Sequence, residues 1–77
     1  MIKKYILIKY GTTLFQMSGN ILTVQMQGDD LVMWLDSDGY YKYNSIVSIF
    51  TGDTAPLDHR YIGTVQDKSL VYHVYAS

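Results

Sequence analysis

The chain has no cysteine and no glutamate, and among its 77 residues only one proline, one arginine and two alanines. The missing cysteine excludes disulfides and thiolate metal sites. The two histidines, His59 and His73, are too far apart for the tight ligand spacing of a structural metal, so none is expected. The shortage of alanine and glutamate removes the strongest helix formers. No apolar run approaches the ~20 residues of a membrane-spanning helix. Met1-Ile2-Lys3-Lys4 is followed by too short an apolar stretch for a signal peptide, and no small-residue cleavage site ends it. The sequence therefore reads as cytosolic. Six basic residues against seven aspartates give a net charge of −1, which does not supply the basic surface that DNA or RNA binding needs.

What is present is strand-forming. Isoleucine, valine, threonine and tyrosine dominate, and these residues pack well on a pleated surface. The aspartates sit mostly beside turn residues, where a short side chain competes for backbone hydrogen bonds. The pattern predicts a single all-β domain over residues 1–77, an antiparallel meander of six to seven strands curled or closed like a barrel.

In order, the expected strands are Ile2 to Lys9, a short Leu14 to Met17, Ile21 to Gln27, Leu31 to Asp36, a long Tyr40 to Phe50, Arg60 to Gln66 and Ser69 to Ala76. Gly11-Thr12-Thr13, Gly28-Asp29, Asp36-Ser37-Asp38-Gly39 and Asp67-Lys68 are read as turns, the second and third as hairpins. Alternation places Leu22, Val24 and Met26 on one face of their strand, and Leu31, Met33 and Leu35 opposite Val32 and Trp34 on the next. A bulge is expected near Asn44-Ser45. Thr51 to His59 is the one extended loop.

A chain this short buries only roughly 60% of its unfolded surface, and with disulfides and metals excluded, self-association is the remaining source of stability. A homodimer or homotetramer is expected. Catalysis is not expected. No G-x-S-x-G elbow and no phosphate-binding glycine loop occurs, and the aspartates lie at turns and not as a paired set on rigid elements. Lys3, Lys4 and Lys9 read as solvated or edge-strand residues.

Two groups could bind a ligand. The loop from Phe50 to Arg60 concentrates Thr51, Gly52, Asp53, Thr54, His59 and Arg60. Its glycine lets backbone N–H groups approach an anion, and an arginine binds phosphate bidentately or stacks on a base. The bland alternative is a polar connection with an Asp58–Arg60 surface contact. The second group is aromatic: Trp34 with Tyr40, Tyr41 and Tyr43 across the expected second hairpin. Alternation sends Tyr41 and Tyr43 one way and Tyr40 the other. These rings suit base stacking, core packing or a subunit interface equally. His73, facing opposite to Tyr72 and Val74, reads as a hydrogen-bonded structural residue.

The segments Phe50-Thr51-Gly52-Asp53, Tyr61-Ile62-Gly63-Thr64-Val65 and Leu70-Val71-Tyr72-His73-Val74-Tyr75 resemble a family of very small phage proteins. Phe15-Gln16-Met17, Ile21-Leu22-Thr23-Val24-Gln25 and Leu31 to Leu35 around Trp34 fit the same pattern. The resemblance runs from about Leu14 to the C-terminus and rests on order and spacing. Many members carry a second glycine or a histidine near Gly52, where this chain has Asp53. The resemblance implies a phage protein in the host cytoplasm, of the kind that sequesters cyclic-oligonucleotide signals of bacterial CBASS immunity. Such a sponge binds a cyclic dinucleotide without cleaving it, uses no cofactor, and shares sites between subunits. The alternatives are a protein-binding inhibitor of a host defence enzyme and a small accessory phage protein.

Overall fold

The computed structural model describes all residues from Met1 to Ser77. Seven strands form, β1 (Ile2–Leu7), β2 (Gly11–Gln16), β3 (Gly19–Gln27), β4 (Asp30–Ser37), β5 (Tyr43–Phe50), β6 (Arg60–Asp67) and β7 (Leu70–Ala76). There is no helix. Every paired neighbour is antiparallel, in one sheet ordered β1-β4-β3 and another ordered β2-β5-β7-β6. The two sheets face each other as an open sandwich and do not close into a barrel.

The core follows from strand alternation. Leu31, Met33 and Leu35 of β4 face inward and are fully buried, and Leu31 and Met33 cluster with Ile46 of β5 and Val74 and Ala76 of β7. Rings seal the gaps between the sheets. Tyr5 packs on Phe15 at 5.1 Å between the open edges of β1 and β2, while Tyr10, Phe50 and Tyr72 stack in series at one end. Ser48 is the one buried polar side chain. Its hydroxyl donates to the Lys9 carbonyl at 2.6 Å, which fixes the β1–β2 corner.

Along the opposite side the sheets meet through β3 and β6. A Cβ on Gly63 would lie 2.7 Å from Val24 Cγ2, so any larger residue here would have to displace Val24. Both strands carry a bulge there, at Leu22 and at Ile62. A bulge bends its strand and increases the local twist, which lets the two edges converge.

Several expected elements differ. Gly11 to Thr13 is strand, and the chain turns earlier, at Lys9-Tyr10. The bulge at Leu22 breaks its alternation with Val24 and Met26, so Ile21 takes the core position and Leu22 faces solvent. Residues 36–39 make no hairpin: β4 and β5 belong to different sheets, and Tyr40 to Lys42 form an irregular link between them. Ser18 organises this link, donating its N–H to the Tyr40 carbonyl and its hydroxyl to Asp38 Oδ2, while its carbonyl accepts from Asp38 N–H. The Gly28-Asp29 hairpin forms as read, with Gly28 at φ +60°. The last hairpin turns at Lys68-Ser69, one residue later than expected, with Lys68 at φ +57°.

Candidate functional site

The Thr51–His59 loop is a crossover. β5 and β6 both run antiparallel to β7 and flank it, so they run in the same direction. The chain leaves β5 beside Tyr72 and re-enters β6 beside Ala76. It must therefore travel the length of β7 across the outer face of the sheet, and two histidine contacts hold it there. At the start, Thr51 Oγ1 lies 2.7 Å from His73 Nε2. His73 Nδ1 lies 3.0 Å from Thr64 Oγ1, which in turn meets the Tyr61 hydroxyl at 2.7 Å. At the end, Ser45 Oγ lies 2.7 Å from His59 Nε2, and His59 Nδ1 lies 2.7 Å from the Leu57 carbonyl. A carbonyl only accepts, so Nδ1–H is the donor to Leu57, and Nε2 is the nitrogen that meets the Ser45 hydroxyl.

The Ser45–His59 pair has the spacing of a nucleophile and its base. The pair lies on the outer face of the strand, away from the residues that line either cavity, and the Ser45 N–H beside it donates to Ser77 Oγ at 2.9 Å. It serves as a fastening for the loop.

The expected loop site divides between the ends of this crossover. The β7 partners of Phe50 and Arg60, Tyr72 and Ala76, are four residue steps apart, roughly 13 Å along the strand. Thr51, Gly52, Asp53 and Thr54 lie at one end. There Asp53 Oδ2 accepts from Phe50 N–H at 3.0 Å and Asp53 N–H donates to the Phe50 carbonyl at 3.1 Å. Gly52, at φ +99°, supplies the third position of that turn. These residues shape a tight turn, with Thr51 engaged by His73. His59 and Arg60 lie at the other end, and no Asp58–Arg60 ion pair forms. The ion pairs present join the Met1 ammonium to Asp36 and Lys9 to Asp67.

The aromatic group divides as well, because β4 and β5 lie in different sheets. Trp34 sits half-buried on the outer face of the β1-β4-β3 sheet. Tyr43 belongs to the outer face of the other sheet, and Tyr41 lines a shallow cavity with Met1, Lys3 and Met17. Tyr40, Tyr41 and Tyr43 are 73–80% exposed and take no part in the core.

The structure does bring Arg60 to a site that the sequence did not reveal. A cavity of about 210 Å3 opens between the sheets where β5 and β6 begin. Phe15, Ile21, Leu35 and Ile46 form its apolar floor, and Lys42, Asn44, Arg60 and Ser77 stand around it. Asn44 holds the rim by donating its amide to the Met17 and Lys42 carbonyls. Neither Lys42 nor Arg60 has an acidic partner. Lys42 is flanked in sequence by Tyr41, which lines the other cavity, and Tyr43, which lies on the outer face of β5. The run Tyr40-Tyr41-Lys42-Tyr43 was the available signal for Lys42, masked because the segment read as regular strand. Asn44 carries no such mark, since its role depends on where Met17 lies in the fold.

The whole chain, residues 1–77, matches the family model of a domain of unknown function, DUF7352, and the protein belongs to that family. No curated protein and no solved structure matches it.

Proposed function

We propose that this protein is a non-catalytic binder of an anionic nucleotide, with the phosphates held between Arg60 and Lys42 and a base covered by one of the tyrosines beside Lys42. The observation that carries this reading is the pair of cations without acidic partners at the rim of one apolar-floored cavity. In a chain of net charge −1, an anion must be held by local donors and not by the overall field. A guanidinium offers bidentate, charge-assisted bonds to phosphate, and exposed tyrosines give sequence-tolerant stacking surfaces.

The cavity, at about 210 Å3, is smaller than the ~300–1,000 Å3 of a site that encloses a whole drug-sized ligand. It suits a phosphate and its sugar, with the bases outside against the tyrosines. A cyclic dinucleotide offers this combination of two phosphates and two stacking faces. The resemblance to small phage proteins supports the more specific form of the reading, a sponge that removes a cyclic-oligonucleotide signal of antiviral defence in the host cell.

A thermal-shift panel of cyclic dinucleotides, linear dinucleotides, mononucleotides and inorganic phosphate tests the proposal. A ligand at 100 times its dissociation constant adds about 2.7 kcal/mol of apparent stability, a shift of several degrees in a domain this small. Recovery of the ligand unchanged after heat release supports sequestration. A panel without any shift removes the nucleotide reading.

A further inference from the structure

The outer face of the β1-β4-β3 sheet is more apolar than a solvent-facing sheet surface normally is. From one edge to the other, its register sets Ile2 beside Asp36 and Asn20, Lys4 beside Trp34 and Thr23, and Ile6 beside Val32 and Gln25. The β3 bulge adds Leu22 to this side. Ile6 is 61% exposed, and Ile2 and Leu22 are also open. Val32 points the same way yet is only 1% exposed. Ile6 and Gln25 flank it, and Lys4 Nζ crosses the sheet to donate to Gln27 Oε1 at 2.8 Å. The diagonal from Lys4 to Gln27 runs over Val32, and the lysine's methylene stem roofs it. That strap covers one part of the face and leaves Ile2, Ile6, Leu22 and one side of Trp34 in water.

We infer that this face is where two copies of the chain associate, reversibly, sheet against sheet. Three features favour a second copy. Three strands of about eight residues make a flat area on the order of 14 × 26 Å, so two copies cover roughly 700–800 Å2 in total by flat area. That lies below the ~1,200–2,000 Å2 of a stable interface and in the range of weak, concentration-dependent association. Charge on the face is sparse and of both signs: Lys4, bonded to the neutral Gln27, keeps its ammonium charge, while the carboxylates of Asp30 and Asp36 lie at the two ends of β4, Asp36 held by the Met1 ammonium. Lastly, only 11 of 77 residues are buried in the single chain, so a second apolar layer against Trp34 adds substantially to a small core. The inference is independent of the nucleotide reading, which concerns the end of the sandwich and not this flank.

Trp34 is the sole tryptophan and lies within the surface, so its fluorescence reports on this contact specifically. The experiment combines sedimentation equilibrium across the micromolar range with Trp34 emission and acrylamide quenching on the same samples. The expected result is an average mass rising toward that of two chains, with Trp34 shifting blue and losing quencher access in step. Ile6→Lys, at an open position, should give a folded chain that stays single; Ile2→Lys serves the same purpose if that variant misfolds. Leu14→Lys, on the outer face of the other sheet, should associate like the parent. A parent of single-chain mass at every concentration overturns the inference. So does association that leaves Trp34 quenching unchanged, or that Leu14→Lys abolishes and Ile6→Lys does not.

Discussion

Ser45 and His59 are joined by a 2.7 Å hydrogen bond that closes the far end of the β5–β6 crossover against the sheet it crosses. The Leu57 carbonyl fixes the tautomer of the ring, so a serine hydroxyl on one strand and a carbonyl inside the loop determine where β6 begins. Arg60 is the next residue. Its place at the cavity rim depends on this fastening.

Replacing His59 with alanine should cost about 1–2 kcal/mol of stability, the range for a side-chain hydrogen-bonded pair at a partly buried position. The effect should be local. Amide exchange should accelerate at Ala55 and in residues 57–59 and remain unchanged at the Gly28-Asp29 hairpin. Uniform acceleration across both sheets would contradict the pin.

At the start of the crossover, Thr51→Val removes the hydroxyl bound to His73 Nε2. The Thr64 and Tyr61 hydroxyls remain on the other side of the ring. The expected loss is about 0.5–1.5 kcal/mol in a urea titration, with added mobility confined to residues 51–54. A loss equal to that of a core truncation would show that Thr51 does more than fasten the loop.

Gly63→Ala places a methyl group 2.7 Å from Val24 Cγ2, between two converging strand edges. Overpacking of this kind typically costs about 1–3 kcal/mol. Val24→Ala in the same chain should recover part of that loss, giving a coupling energy of opposite sign to the single effects. Strict additivity would mean that β3 and β6 do not meet at these residues.

Much of this architecture was legible from alternation and turn chemistry. Leu31, Met33 and Leu35 were recognisable as a core face because nothing interrupts their period of two, and Gly28-Asp29 because two strands flank a two-residue turn. Leu22 misled, since a bulge flips the alternation without leaving a sequence mark. The Asp36–Gly39 segment carries ordinary hairpin residues, yet Ser18, distant in sequence, bonds to both Asp38 and Tyr40 and directs the chain into the other sheet. For the site, Arg60 stood out as the only arginine. Its separation from Thr51–Thr54 follows from β7 lying between β5 and β6, a non-local pairing that loop composition does not encode. Lys42 gained its importance only when the fold set it on the same cavity as Arg60.

Arg60 and Lys42 together are proposed to hold the phosphates of a nucleotide. Calorimetric titration of the parent, Arg60→Ala, Lys42→Ala and the double variant with a cyclic dinucleotide tests it most directly. Arg60→Ala should weaken binding by about 1.5–3 kcal/mol, the usual range for a hydrogen bond to a charged group. Lys42→Ala should weaken it by less, as expected of a flexible point charge compared with a planar fork. The double variant should abolish measurable binding while its thermal unfolding stays close to that of the parent. Parent-like affinity in the double variant would contradict the account.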